Sequence, residues 1–237
     1  MSAAPIRALL LDLDDTLYAY APCNEAGLEA AYERLQRRRI VGWREFEALH
    51  ARVRGELAVE LAGQAASHDR LLFFKHMVEE LVGGAEVELV LALHEAYWEA
   101  FLARAEPGPD THAVLGRLAA RLPLVLVTNQ VASVQLAKVQ RLGLDGYLHG
   151  IVTSEEAGAD KPDPRIFRRA LELAGASAAE ALMVGDSVRG DLEGAAASGL
   201  RCIHSREFTS ERDEGGLALA VLERLGELPA LLDQQGL

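Results

Sequence analysis

Hydrophobic positions follow two rhythms along this chain. Ile6–Leu13 is a short apolar run bounded by Pro5 and by an acidic turn carrying Asp12, Asp14 and Asp15. Such a run reads as a buried strand ending in a polar loop. From Tyr18 to Ala105 the spacing becomes helical. Leu28, Ala31 and Leu35 share a face, as do Val53, Leu57 and Leu61, then Leu71, Phe74 and Val78, and Leu89–Phe101 is again amphipathic. No strand pattern interrupts this stretch, which is expected to form four or so helices.

Pro107-Gly108-Pro109 breaks the helical rhythm and marks a domain boundary. Asp110 and Thr111 are candidate caps for a helix reaching about Arg121. Beyond it, strands and helices alternate: strand Leu124–Thr128, helix Val131–Leu142, strand Gly150–Thr153, helix Pro164–Ala174 capped by Asp163, strand Ala181–Val184, helix Asp191–Ser198 ended by Gly199, and strand Leu200–His204. Alternating units of this kind imply an α/β fold with a parallel sheet covered on both faces. Ser205–Gly216 reads as a surface loop, and Leu217–Leu232 as one or two closing amphipathic helices. The expected organisation is a discontinuous core, residues 1–17 and 106–237, with an all-helical insert at 18–105.

Composition narrows the picture. Half of the 237 residues are hydrophobic, enough for a sizeable core, and the net charge of −12 argues against a nucleic-acid partner. A small anionic substrate remains compatible, because a bound cation and a few basic groups can reverse the local field. Cys23 and Cys202 are far apart and match neither a disulfide framework nor a metal knuckle, so both are expected as free thiols in a reducing compartment. The N-terminal apolar run is cut short by Asp12, and no membrane span is expected. A cytoplasmic protein without a membrane partner is the expectation; the oligomeric state is not legible. Arg37-Arg38-Arg39 reads as the solvated end of a helix.

In open parallel sheets, ligands bind beyond the carboxyl ends of the strands. Those ends carry Asp12, Asp14, Asp15 and Thr16 after the first strand, Thr128 and Asn129 after the second, Lys161 past the third, and Asp186 and Asp191 after the fourth. Converging carboxylates repel and resist ionisation, a conflict that a divalent cation resolves. All-oxygen ligands of this sort favour Mg²⁺. A carboxylate can attack phosphorus, a second can move protons, and a lysine with a hydroxyl can hold oxygens on which charge builds. Lys161 is one of only three lysines, with Lys75 and Lys138, against 21 arginines.

Asp12-Leu13-Asp14-Asp15-Thr16-Leu17 after Leu9-Leu10-Leu11 resembles the first motif of the haloacid dehalogenase-like hydrolase superfamily. Val125–Asn129 resembles the second, Lys161-Pro162 the third and Gly185–Asp191 the fourth, all in order. The resemblance implies a Rossmann-like doubly wound parallel sheet, with an all-helical cap similar to the family's C1 type inserted after the first strand. It implies Asp12 as nucleophile and Mg²⁺ ligand, Asp14 as general acid/base with its backbone carbonyl on the metal, and Asp186 as a metal ligand. Asp191 would support the metal through water or orient Lys161. Thr128 and the backbone amide of Asn129 would bind phosphate, and Lys161 would neutralise nucleophile and phosphate.

Each residue also has a plainer reading. Asp12 and Asp14 alone could be turn carboxylates, Thr128 a strand end and Asp191 a helix-start carboxylate; four motifs in order favour the site. Asp15 reads as a turn residue. The histidines, including His68, His76 and His94, form no ligand spacing and read as structural or surface groups, and Trp43 and Trp98 as packing. A dehalogenase needs no acid two residues after its nucleophile, so Asp14 argues for phosphoryl transfer. The expected activity is Mg²⁺-dependent hydrolysis of a small phosphorylated metabolite through an aspartyl-phosphate. A β-phosphoglucomutase-like transferase and a non-catalytic phosphometabolite-binding protein are the alternatives.

Overall fold

The computed structural model describes residues 4–234. Six parallel strands form one sheet: β1 (Ala8–Leu11), β2 (Leu124–Thr128), β3 (Gly150–Thr153), β4 (Ala181–Gly185), β5 (Arg201–Ser205) and β6 (Val221–Leu222), in the order β3-β2-β1-β4-β5-β6. Four long helices separate β1 from the rest of the sheet: α1 (Tyr20–Gln36), α2 (Trp43–Glu60), α3 (Arg70–Val82) and α4 (Val87–Arg104). The remaining helices are α5 (Thr111–Ala119), α6 (Ala132–Leu142), α7 (Ser154–Ala157), α8 (Pro164–Ala174), α9 (Gly194–Ala197) and α10 (Leu228–Gln234). This is the doubly wound α/β fold with a helical cap after the first strand.

The strands are apolar on both faces because both faces are covered. Leu9 and Leu11 of β1, with Leu124 and Leu126 of β2, join one cluster with α5, α6, α10 and the cap. Ala8, Leu10, Val125 and Val127 point the other way, onto Ile166, Phe167 and Ala170 of α8 and Ala195 of α9. The strand period of two thus divides one continuous apolar run between two cores. The cap is knit by aromatic contacts, and α1 meets α4 so closely that a Cβ at Gly27 would lie 2.7 Å from the Tyr97 ring.

Local chemistry accounts for most boundaries. Asp163 accepts from the Arg165 amide at 2.8 Å, Pro164 opens α8, and Gly175 closes it in the left-handed region at φ 63°. Thr153 and Glu156 form a capping box that starts α7, a short helix with no counterpart in the sequence reading. Asp110 does not cap α5; it pairs with Arg224 at 2.7 Å, while Thr111 Oγ1 donates to the Leu17 carbonyl at 2.8 Å. Asp191 falls inside a π-helical turn, Val188–Glu193, ahead of α9.

The chain after Gly216 departs from the expected one or two amphipathic helices. Val221–Leu222 pairs with His204 and Ser205 as β6, and only then do a 3₁₀ turn (Leu225–Glu227) and α10 follow. The backbone of β5 would otherwise present an open edge. Leu219 donates to the Cys202 carbonyl at 2.9 Å, and the Arg206 amide to the Leu222 carbonyl at 2.8 Å. Arg38 and Arg39 behave as expected, exposed at the end of α1 and paired with Glu88 and Glu86. Cys23 and Cys202 are free and buried.

His50 of α2 is buried beside Phe73 and Phe74, and its Nε2 has no hydrogen-bond partner. Burial, with Arg70 and Arg54 adding to it, pulls the imidazole down to about 4. The unfolded chain protonates near 6.5 while the native state does not, so His50 costs nothing above that pH and its penalty grows as pH falls toward 4. His50→Leu should therefore flatten the acid loss of stability by about 2 kcal/mol between pH 7 and pH 5. Urea unfolding of both proteins at the two pH values measures it.

Candidate active site

The register of the sheet places the motif residues side by side. Leu11 of β1 lies opposite Leu126 of β2 and Val184 of β4, so Asp12, Thr128 and Asp186 come together at the carboxyl ends of the strands. The Asp12 amide donates to the Val184 carbonyl at 2.9 Å, continuing the ladder up to the site. Strand order reverses between β1 and β4, which is where an open α/β sheet leaves a crevice. A cavity of about 410 Å³ opens there between core and cap, a volume within the range of ligand pockets.

Lys161 is the hub of the core side. It is buried, and its Nζ lies 2.6 Å from Asp12 Oδ1 and 2.6 Å from Asp191 Oδ1. Burial alone would pull its ammonium down; Asp12 and Asp191 outweigh that and hold it above the usual lysine range. Asn129 grips the Lys161 backbone from both sides: its Oδ1 accepts from the Lys161 amide at 2.7 Å, and its Nδ2 donates to the Lys161 carbonyl at 3.3 Å. The side chain of Asn129 is thus committed to placing Lys161. Asp191 is fully buried, with Oδ1 on Lys161 and Oδ2 accepting from the Ser187 amide at 3.0 Å. Of the two roles implied for it, orienting Lys161 is the one this geometry favours.

Asp12, Asp186 and Asp191 each offer a carboxylate oxygen within 4.8 Å of the others. Burial pushes the Asp12 carboxyl up to about 7, with Lys161 opposing and Asp191 and Asp14 reinforcing the rise. Burial, then Asp12 and Asp191, push Asp186 up to about 9. Such a pair cannot both carry charge comfortably at neutral pH, whereas a hard divalent cation would stabilise both as carboxylates. The donor set is entirely oxygen, so the residues fit such an ion. Thr16 Oγ1 donates to Asp186 Oδ1 at 3.3 Å, and His204 Nε2 lies 2.9 Å from the Asp186 carbonyl, so Asp186 is held by side chain and backbone.

Asp14 points into a different environment. Lys138 of α6, also buried, places Nζ 2.8 Å from both of its carboxylate oxygens, and the Tyr18 hydroxyl donates to Oδ1. Burial raises the Asp14 carboxyl, but the charge and hydrogen bond of Lys138 and the Tyr18 bond outweigh it and hold Asp14 below the usual carboxylate range. The Lys138 ammonium also lies near the rings of Phe101, Tyr20 and Trp98. Asp15 behaves as the turn residue expected: it sits at φ 55°, and its Oδ1 accepts from the Tyr20 amide at 2.8 Å at the start of α1. Thr128 lines the cavity, its Oγ1 accepting from Gln135.

The sequence reading missed the cap side of this cavity and Lys138. Arg54, His68 and Arg70 line it from the cap, and Gln130 from the core. His68, expected as structural or surface, lies with Nε2 3.2 Å from Asp160, and the Gln130 amide donates to the His68 carbonyl at 3.0 Å. Lys138 had one signal: a scarce lysine on the buried stripe of a helix, beside Gln135, Val139 and Leu142. Trp43 stacks on Phe46 and Trp98 packs on Tyr97 and Phe101, the packing roles expected of them.

The sheet order, the helical cap and a carboxylate–lysine cluster at the switch point define a capped α/β hydrolase. The chain belongs to the haloacid dehalogenase-like hydrolase family, whose model matches residues 6–199. It is 39% identical over 201 residues, 83% of each chain, to a ribulose-1,5-bisphosphate 5-phosphatase from Halopiger xanaduensis. It is 33% identical to a phosphoserine phosphatase from Thermus thermophilus, over 84% of this chain and 88% of that one. Its fold matches the crystal structure of a HAD phosphatase from Thermococcus onnurineus with a TM-score of 0.77 at 26% identity, covering 96% and 98% of the two chains.

Two substitutions probe this arrangement. A Cβ at Gly185 would lie 2.3 Å from the Asp191 carboxylate, so Gly185→Ala should displace Asp191, release Lys161 and lower kcat by about tenfold or more, with a stability loss of about 1–3 kcal/mol. Steady-state kinetics and urea unfolding of that variant read both effects. Lys138→Met removes the cation that holds the half-buried Asp14 carboxylate and should cost about 1–3 kcal/mol. In a double-mutant cycle with Asp14→Asn most of that loss should vanish, giving a coupling energy above about 1 kcal/mol.

Proposed function

We propose that this protein is a Mg²⁺-dependent phosphatase that hydrolyses a small phosphomonoester metabolite through an aspartyl-phosphate on Asp12. The observation that carries the reading is the Lys161 bridge: one cation binds Oδ1 of Asp12 and Asp191, while Asp12 lines the cavity with its Oδ2 unbonded among the described residues. The chain is a phosphoric monoester hydrolase, as the names of its relatives support. Residues 18–105 serve as the cap, and residues 1–17 with 106–237 as the core.

Asp12 attacks phosphorus, the bond from phosphorus to the leaving oxygen breaks, and Asp14 gives that oxygen its proton. Arrival of the anionic phosphate beside Asp14 favours its protonated form, against the pull of Lys138. In the second half Asp14 takes a proton from water, which attacks phosphorus, breaks the bond to Asp12 and releases inorganic phosphate. Lys138 and Tyr18 favour the carboxylate that this second step requires, and fix where it points. Lys161, Thr128 and the Asn129 amide hold the phosphoryl oxygens. A Mg²⁺ ion held by Asp12, Asp186 and the Asp14 backbone carbonyl would neutralise charge between nucleophile and phosphate. The cap covers the cavity and excludes water from it.

The substrate is a small metabolite; the strongly negative net charge gives no support to a nucleic-acid partner. No helix among the described residues is long and apolar enough to cross a membrane. Two free cysteines are compatible with the cytoplasm as the working compartment.

Hydrolysis of p-nitrophenyl phosphate tests the reading. Turnover should require Mg²⁺, stop with EDTA, return when Mg²⁺ is restored, and fall by roughly a thousandfold or more in Asp12→Asn. Turnover that is indifferent to EDTA or undiminished in Asp12→Asn would refute the mechanism. Isomerisation of sugar phosphates without release of inorganic phosphate would identify a mutase instead.

A further inference from the structure

The cap presents a buried cation that the proposed chemistry does not use. Arg70 opens α3, is only 7% exposed, and lines the same cavity as Asp12. Arginine is almost never buried this deeply without an anionic partner. Here the guanidinium forms no ion pair among the described residues. Its acceptors are all neutral: the His68 carbonyl for Nη1 at 2.6 Å, the Tyr97 hydroxyl for Nε at 3.3 Å, and the Tyr20 hydroxyl for Nη2. These use three of the five N–H bonds of the fork, so two lack an acceptor there.

The fork is built, not incidental. Tyr20 and Tyr97, which accept from Arg70, both donate to Asn24 Oδ1, at 3.1 and 2.8 Å. The rings of Phe73, Tyr97 and Tyr20 lie 5.4, 5.7 and 5.9 Å from the guanidinium carbon. The aromatic faces ease the desolvation of the cation without neutralising it. Among the described residues no cap carboxylate lines the cavity; besides Arg70 the cap contributes His68, which pairs with Asp160, and Arg54, exposed on α2 and in no ion pair among the described residues. The carboxylates around the cavity all come from the core, where Lys161 and Lys138 engage Asp12 and Asp14.

A cation of this kind calls for an anion supplied by the ligand. The phosphoryl group to be transferred already has its cradle on the core strand ends, in Lys161, Thr128 and the Asn129 amide. We infer that Arg70, with Arg54 beside the same cavity, is a specificity determinant for a substrate carrying a second anionic group, a carboxylate or another phosphate, on the part of the molecule that leaves. The planar fork matches the oxygens of either group. This inference rests on the phosphatase reading above, and a reaction that supplies such a substrate must deliver a phosphorylated acid or a bisphosphate.

Matched substrate pairs test it. 3-Phosphoglycerate against glycerol 3-phosphate varies a carboxylate; fructose 1,6-bisphosphate against fructose 6-phosphate varies a second phosphate. The wild-type protein should favour the doubly anionic member of at least one pair by roughly tenfold or more in kcat/KM, and the pair that shows it identifies the group. In Arg70→Gln the ratio within that pair should fall to near one, whatever the absolute rate, while Arg70→Lys keeps part of it. Arg54→Gln, an exposed substitution that does not threaten folding, should lower the ratio severalfold and keeps the test decisive if Arg70→Gln does not fold. Ratios near one in the wild type overturn the inference, as does an Arg70→Gln variant that slows both members equally, which would assign Arg70 to the transferred phosphate or to structure. Mg²⁺-dependent turnover of p-nitrophenyl phosphate alongside ratios near one would overturn this inference alone; no Asp12-dependent turnover of any compound would remove the phosphatase reading and this one with it.

Discussion

The buried bridge from Lys161 to Asp12 and Asp191 is the interaction on which the site depends. It joins the loop after β1, the turn after α7 and the helical turn after β4 through a single ammonium. A charge so deep is tolerable only with its partners in place, since removing one leaves another uncompensated. Several otherwise separate features serve that bridge. Asn129 clamps the Lys161 backbone, Gly185 leaves room for the Asp191 carboxylate, and the Ser187 amide holds that carboxylate from the far side. Thr128 and Asp186 then reach the same crevice because the sheet register sets them one residue beyond the level of Asp12.

A second ion pair links the chemistry to the cap. Lys138 holds Asp14 from a core helix, while the rings beside its ammonium, Tyr20, Trp98 and Phe101, all belong to cap helices. On another side, Asp160, next to Lys161 in the chain, meets His68 and Ser67, and Gln130 reaches the His68 carbonyl. The cap therefore touches the core through residues adjacent to the reacting groups. A movement of these helices would therefore be felt at the site, the coupling that gating would need.

Charge is distributed to the same end. The chain is strongly acidic overall, yet the cap wall of the cavity is basic and the core wall pairs carboxylates with lysines. The basic groups that could meet an anion are therefore gathered at the cavity, where local field rather than net charge would govern binding.

Much of the core site was legible in sequence because it consists of short motifs at strand ends, and a parallel sheet aligns strand ends by its backbone ladder alone. Asp12, Asp14, Thr128, Asn129, Lys161, Asp186 and Asp191 could be named, a covered parallel sheet with a helical insert followed from the two rhythms of the chain, and its doubly wound order was implied by the family resemblance. The last strand was not legible, because Val221–Leu222 is too short to show alternation and forms only against the open edge of β5. Lys138, His68, Arg54 and Arg70 were equally hidden. Their side chains reach the cavity from helices and turns far from the motifs, and their roles arise from packing of the cap on the core. Short motifs along the chain therefore located the carboxylates, threonine and lysine at the strand ends, while only the tertiary structure, through burial of charges that no local pattern pairs, decided what lines the rest of the cavity.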